Sequence, residues 1–245
     1  MATERHWIDE FFVRDSDVYY ATYLHRLSPT EPAVDLVVKA LDLQSHEHVL
    51  DLACGHGRHA IELARRGFEN IAGLDYSPVF LEKAAYDASA AGVSVRWIHA
   101  DMRTLSFGAE FDAIYSLFTS LFFFDDETNQ RVLNGIGRAL RPAGRFLVQT
   151  VNALQAIRRE PRRESWEALP QGGWRLDRWR YEPRTGRDVA ERHLLMPDGS
   201  HVLQEVFVRD YTVPELERMA GMAGLRLMGV YGDTDWGTIT WAPLG

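Results

Sequence analysis

The chain is short of cysteine and of positive charge. Cys54 is the single cysteine among 245 residues, so no disulfide can close within the chain. A net charge of −8 argues against a nucleic-acid backbone as partner, because proteins that bind one carry a basic footprint. No apolar run approaches the roughly 18 residues that a membrane helix needs, so no membrane partner is expected. The N-terminus, MATERHWIDEFF, lacks a signal peptide's order of basic start, apolar run and small-residue cleavage site. A cytoplasmic location is the resulting expectation. No cluster has metal-ligand spacing, and no internal repeat or low-complexity linker interrupts the chain.

What is present fits one α/β domain, or one such domain carrying an insertion. Residues 4–27 read as helical, and SPTEP ends that helix before a second at about 33–42. Strands then alternate with helices. HVLDLA (48–53), IAGLD (71–75), SVRWIHA (94–100), FDAIYSLF (111–118) and RFLVQTV (145–151) read as five strands. Helices fall between them at 57–66, from Pro78 behind a Ser77 cap to near Gly92, and behind Asp125 or Asp126. This repetition predicts a doubly wound, Rossmann-like parallel sheet with its ligand edge at the strand C-termini.

The alternation breaks at 153–209, where three strands in WRLDRWRYEP, RDVAERHLLMP and HVLQEVFVRDY predict a small antiparallel β insertion. That stretch holds eleven arginines against nine acids, read as an ion-paired surface or as a local anionic-substrate patch. Thr212 and Glu215 have capping-box spacing, and a last hairpin is expected over 225–242. The expected organisation is a helical lid (1–46), a core (47–152), the insertion as lid or dimer contact (153–210), and the C-terminal part of the core (211–245).

The stretch DLACGHGRHA after the first strand matches G-x-G-x-x-A from Gly55, the dinucleotide fingerprint. Asp51 opposes that reading. A dinucleotide brings a pyrophosphate to the helix N-terminus, and a carboxylate just ahead of the turn repels it. S-adenosylmethionine carries a sulfonium and an ammonium against one carboxylate, which Asp51 favours. Asp75 closes the second strand, where it can accept from both ribose hydroxyls. Asp101 and Met102 follow the third, where an adenine edge and face can be met; Tyr76 can cover the other face.

Residues 48–152 resemble the core of class I S-adenosylmethionine-dependent methyltransferases of the small-molecule type. The stretches that carry the resemblance are VLDLACGHGR, IAGLDYS, HADM, FDAIYSLFTS and LRPAGRFLVQTVN. It implies a seven-stranded sheet with the last strand antiparallel. It also implies that Asp51, Ala53, Cys54, Gly55, His56 and Gly57 meet the methionine end, and that Asp75 and Tyr76 meet the ribose and adenine. Asp101 and Met102 then take the adenine edge, Leu117, Phe118 and Ser120 face the methyl donor, and Tyr19 and Tyr23 close over the cofactor. Ala53 stands where many members have the first glycine, a mild change because both residues are small. His56 replaces a common threonine.

The implied activity is methyl transfer to N or O of a small molecule, with carbon less favoured. Two alternatives stand beside it: other S-adenosylmethionine chemistry such as cyclisation, and an NAD-dependent oxidoreductase. A strongly electrophilic methyl needs alignment and dryness more than a base, so the catalytic residue is weakly encoded. Tyr19, His56 and His59 are the titratable candidates, each with core packing as its other reading. Trp174, Arg178, Arg180, Asp233 and Trp236 are candidate substrate contacts, against the reading that they are surface, turn or dimer residues.

Overall fold

In a computed structural model, residues 6–16, 18, 29–154, 162–232 and 237–243 are described. The first parallel stretch contains β1 (His48–Leu52), β2 (Asn70–Asp75), β3 (Arg96–His99), β4 (Phe111–Ser116) and β5 (Leu140–Thr150). A further set follows: β6 (Arg162–Ala168), β7 (Trp174–Glu182), β8 (Arg187–Leu195) and β9 (His201–Arg209). The chain closes with β10 (Leu225–Gly232) and β11 (Gly237–Pro243). The longer helices are α1 (Thr30–Leu41), α2 (Arg58–Arg65), α3 (Pro78–Ala90), α4 (Asp126–Ala139) and α5 (Val213–Met222). Among the described residues no helix is long and apolar enough to cross a membrane.

Two compact units result: Ser28–Val151 with Thr212–Gly245, and Met1–Leu27 with Asn152–Tyr211. The first is a seven-stranded sheet ordered β10-β11-β5-β4-β1-β2-β3. Its parallel run is five strands, not seven. β3, β2, β1, β4 and β5 pair in parallel, and the β10–β11 hairpin joins antiparallel to β5. Strand order reverses between β1 and β4, which opens a crevice at their C-terminal ends. On one face of the sheet Val34, Val37 and Leu41 of α1 and Ala60 and Leu63 of α2 pack on Val49, Ile71, Ala113, Tyr115 and Leu147.

Local chemistry explains most boundaries. The Ser77 side chain caps α3 by accepting from Phe80 N–H, and Pro78 starts the helix where its missing N–H costs nothing. Asp125, rather than Asp126, caps α4, accepting from Thr128 N–H at 2.7 Å. Thr212 and Glu215 form the expected capping box. α1 begins at Thr30, earlier than expected, because Pro32 falls in the first turn, where proline is tolerated. RPAGR, ahead of the strand expected at 145–151, belongs to a longer β5 with an irregularity, where Phe111 pairs with Leu140 and Ala113 with Arg145.

The second unit holds the antiparallel sheet β6-β7-β8-β9, four strands rather than three. β6 escaped the sequence reading because RRESWEA shows no apolar alternation; its pairing with β7 defines it. The segment Trp7–Arg14 winds as a short helix that widens to a π turn, with Asp15 N–H donating to Glu10 C=O. Phe11 packs on Ala190 and Val206, flanked by Trp7, Phe12 and Trp179. Asp177 lies buried between Arg175 and Arg192, the latter at 2.7 Å, so these interior charges are paired.

Candidate functional site

The crevice is built around the turn between β1 and α2. Ala53, Gly55 and Gly57 all lie at positive φ, at 62°, 56° and 76°. Asp75, at the end of β2, pins this turn. One of its oxygens accepts from Gly55 N–H at 2.7 Å and the other from Ser77 N–H at 2.8 Å. Burial pushes the Asp75 carboxyl up, and the Ser77 and Gly55 N–H groups work against that rise.

The two glycines are needed for different reasons. A Cβ on Gly57 would lie 2.3 Å from Cη2 of Trp97, whose ring fills the space beneath the turn. Among the described residues a Cβ on Gly55 would meet nothing within 4 Å. Gly55 therefore faces open space, the close backbone approach that a nucleoside cofactor uses.

Ala53 is a larger departure than its size suggests. A residue with a Cβ costs about 1–2 kcal/mol in the left-handed region, where glycine has no penalty. The relevant difference is conformational rather than volumetric.

Asp51 is buried and in register with Tyr115 on β4. Among the described residues, its Oδ2 and the Tyr115 hydroxyl have no hydrogen-bond partner of normal geometry. Burial raises the Asp51 carboxyl to about 7, a rise that the adjacent Tyr115 hydroxyl and the Ala60 N–H of α2 oppose. An unsatisfied buried carboxylate beside an open turn fits a cationic ligand group better than a pyrophosphate.

Cys54 is buried, and burial with Asp51 and Asp75 nearby pushes its thiol well above the usual range. It stays protonated and is a turn residue, not a nucleophile. Burial and Arg58 bring the His56 imidazole down to about 4 and hold His59 well below its ordinary value. Both rings are neutral at neutral pH. His59 is buried and stacks on Phe118 at 5.4 Å between centroids, and among the described residues its Nε2 has no partner.

Asp101 and Met102 open a short 3-10 turn after β3. The sequence reading left Asp101 open to an adenine amine and missed its neighbour. Arg103 donates from Nε to both Asp101 oxygens, at 3.0 and 2.8 Å, and from its backbone N–H to one of them. The guanidinium also lies 5.9 Å from the Tyr76 ring centroid and 5.2 Å from that of Phe124. A basic residue two positions after the acid was the available signal.

After β4 the chain turns through Leu117–Phe124. Phe118, Thr119 and Phe122 stand at φ of 57°, 58° and 71°, and the segment has no glycine. Ser120 Oγ donates to Leu117 C=O at 2.8 Å. Arg58 lies over the Phe118 ring at 4.7 Å. Leu117, Thr119, Leu121, Phe122 and Phe124 are buried, so much of this run is core.

The crevice thus gathers Asp51, Cys54, Gly55, His56, Gly57, Asp75, Tyr76, Asp101, Met102 and the Leu117–Ser120 segment at the strand C-termini. Trp174, Arg178 and Arg180 belong to β7 in the other unit. Trp174 is exposed against Trp166, at 5.1 Å between ring centroids. Arg178 pairs with Glu164 and Glu191, and Arg180 with Glu182 and Glu205. Tyr19, Tyr23, Asp233 and Trp236 lie outside the described residues. Among the described residues no group of three or more His, Cys, Asp or Glu side chains is placed to hold a metal.

Comparison with known proteins bears on this crevice. A family profile described as a methyltransferase domain matches residues 49–144. Over this stretch the core is similar to methyltransferase domains. The demethylmenaquinone methyltransferase of Thermus thermophilus is 36% identical over 119 residues, covering 47% of this chain and 50% of that protein. The chain spans about half the length of the curated relatives it matches.

Solved structures share the fold across nearly the whole chain. The CcbJ methyltransferase of Streptomyces caelestis superposes with a TM-score of 0.77 at 21% identity, covering 94% of this chain and 96% of that one. The S-adenosylmethionine-bound amino pentose methyltransferase CalS10 of Micromonospora echinaspora gives 0.68 at 21%, covering 92% and 96%.

Proposed function

We propose that this chain is an S-adenosylmethionine-dependent methyltransferase acting on N or O of a small molecule. The observation that carries the reading is the turn Asp51–Gly57. It opens toward solvent at Gly55, is pinned by Asp75, and keeps a buried, unsatisfied Asp51 oxygen beside it. Carboxylates end β1 and β2 and follow β3, a field that suits a cationic nucleoside and repels a pyrophosphate.

In this reading Asp51 and the turn through Gly57 hold the methionine end. Asp75 accepts from the ribose through the lone pairs its two backbone donors leave. Asp101, oriented by Arg103, and Met102 flank the adenine, with Tyr76 alongside. Leu117, Phe118 and Ser120 wall the donor side and exclude water. When bound, the cofactor supplies an electrophilic methyl on a sulfonium, so the acceptor needs a free lone pair in line with it. An attacking amine must already be neutral, and its proton leaves after methyl transfer; His56 and His59, neutral but of lowered basicity, can accept a hydrogen bond from an attacking hydroxyl. Matching relatives are named for demethylmenaquinone and for glycine and sarcosine, beside one named for a protein lysine, and similar structures include sugar methyltransferases; the balance supports a small-molecule substrate class.

The test is calorimetric titration with S-adenosylhomocysteine and, separately, with NAD and NADP. Micromolar binding of S-adenosylhomocysteine alone is expected. Binding of a dinucleotide alone, or of none of the three, overturns the reading.

A further inference from the structure

The segment after β4 needs the left-handed conformation three times and has no glycine to supply it, so something else must hold it. Gln149 on β5 touches both of its consecutive left-handed residues. Its side-chain Oε1 accepts from Phe118 N–H at 3.1 Å, and its backbone C=O accepts from Thr119 N–H at 3.1 Å. Gln149 is buried, so water does not compete for these donors. The clamped conformation directs Phe118 against His59 and Arg58, which places the ring between the first turn of α2 and the donor-side wall.

We propose that Gln149 is the positioning residue of the donor-side loop, its amide oxygen holding Phe118 in a conformation that the loop's own residues disfavour. The role given to the loop rests on the methyltransferase reading; the clamp itself does not. Without the acceptor, the Phe118 N–H loses its partner and the backbone relaxes toward an ordinary conformation. The Phe118 ring then leaves its place, and the wall is no longer formed before the cofactor arrives.

The experiment compares Gln149→Met, which keeps the length and removes the acceptor, with Gln149→Glu, which keeps an acceptor oxygen. Two quantities are read on the full chain: amide hydrogen exchange at Phe118, and affinity for S-adenosylhomocysteine. The methionine variant should exchange at Phe118 about tenfold faster and bind about tenfold more weakly. The glutamate variant should stay within about threefold of the parent in both.

A merely structural role behaves otherwise: glutamate would share the loss, and that result overturns the proposal. Unchanged exchange in the methionine variant overturns it as well. If that variant does not fold, Gln149→Asn, which withdraws the acceptor by one methylene, must move both readouts in the same direction. Should the parent bind no S-adenosylhomocysteine while exchange follows the expected pattern, the methyltransferase reading fails and the clamp stands.

Discussion

After β1 the chain enters the left-handed region at Ala53, Gly55 and Gly57; after β4 it does so at Phe118, Thr119 and Phe122. The first turn meets the demand mostly through residue choice. Two of its three positions are glycine, and Asp75 needs only to pin the result through Gly55 N–H. The second has no glycine, and a remote strand supplies the hold through Gln149. Glycine leaves room for a ligand to approach the backbone, as the open space above Gly55 shows. Side chains at the same backbone conformation give a wall instead. A site that must both admit a nucleoside and enclose a reacting group has use for each solution.

The sharpest way to break the comparison is to put a methyl at Gly57 and then at Gly55. Both substitutions carry the left-handed penalty of about 1–2 kcal/mol. Only Gly57→Ala also drives its Cβ into the rigid Trp97 ring, 2.3 Å away, and into Ala84. Gly57→Ala should cost about 3 kcal/mol or more of stability, read by chemical unfolding. Gly55→Ala should cost only about 1 kcal/mol of stability yet lose at least tenfold in S-adenosylhomocysteine affinity, since its Cβ fills the ligand's approach. Equal losses of stability, or a Gly55→Ala protein that binds normally, would show that the open space above Gly55 is not where the cofactor lies.

The first turn was largely legible in the sequence and the second was not, for a physical reason. Asp51, Gly55, Gly57 and Asp75 announce their work by residue type, because a short strand, a turn and a carboxylate are local events. The Ser77–Pro78 start and the Thr212–Glu215 box were legible on the same terms. Phe118 and Thr119 carry no mark of positive φ, because the force that holds them comes from Gln149, some thirty residues along. Trp97 beneath Gly57 and the Tyr115 hydroxyl beside Asp51 were hidden for the same reason: their partners meet only when the strands align. β6 was lost because an edge strand can be charged throughout and still pair. Ala53 was visible as a departure but misjudged, since its cost lies in φ and not in volume.

A second contrast is electrostatic. The first turn is bordered by ionisable carboxylates, whereas the clamp on the second is a neutral amide, so only the first should respond to pH. Asp51, raised to about 7, is largely protonated at pH 6 and ionised at pH 8. Its folded pKa lies above the unfolded value, so the folded state keeps a proton that the unfolded chain has lost. Stability of the ligand-free protein therefore falls as pH rises from about 4 to 7 and levels above that. Ligand binding has the opposite sign, because the ionised carboxylate is the form that attracts an ammonium.

Affinity for S-adenosylhomocysteine should rise about tenfold between pH 6 and pH 8. His56 and His59 do not interfere, being neutral across that range. Asp51→Asn should flatten the profile, while Gln149→Met should weaken binding and leave its pH dependence intact. A flat profile in the parent protein would remove Asp51 from the ammonium's surroundings.

The smallest expected effect concerns the one position where the first turn behaves like the second. Ala53 holds φ of 62° without glycine and without a side-chain acceptor of the Gln149 kind reaching its neighbours. Ala53→Gly removes the left-handed penalty of about 1–2 kcal/mol but increases the freedom of the unfolded chain, which returns roughly 0.5–1 kcal/mol. The net expectation is a gain of about 0.5 kcal/mol, a rise in Tm of one or two degrees on the scale for a domain of this size. Thr119→Gly should gain less, because there the strain is already balanced by the hydrogen bond to the Gln149 carbonyl and the substitution loosens a wall. If Ala53→Gly destabilises the protein instead, the left-handed strain at Ala53 is smaller than the entropy that alanine saves. The turn after β1 would then owe its shape to Asp75 as much as the loop after β4 owes its own to Gln149.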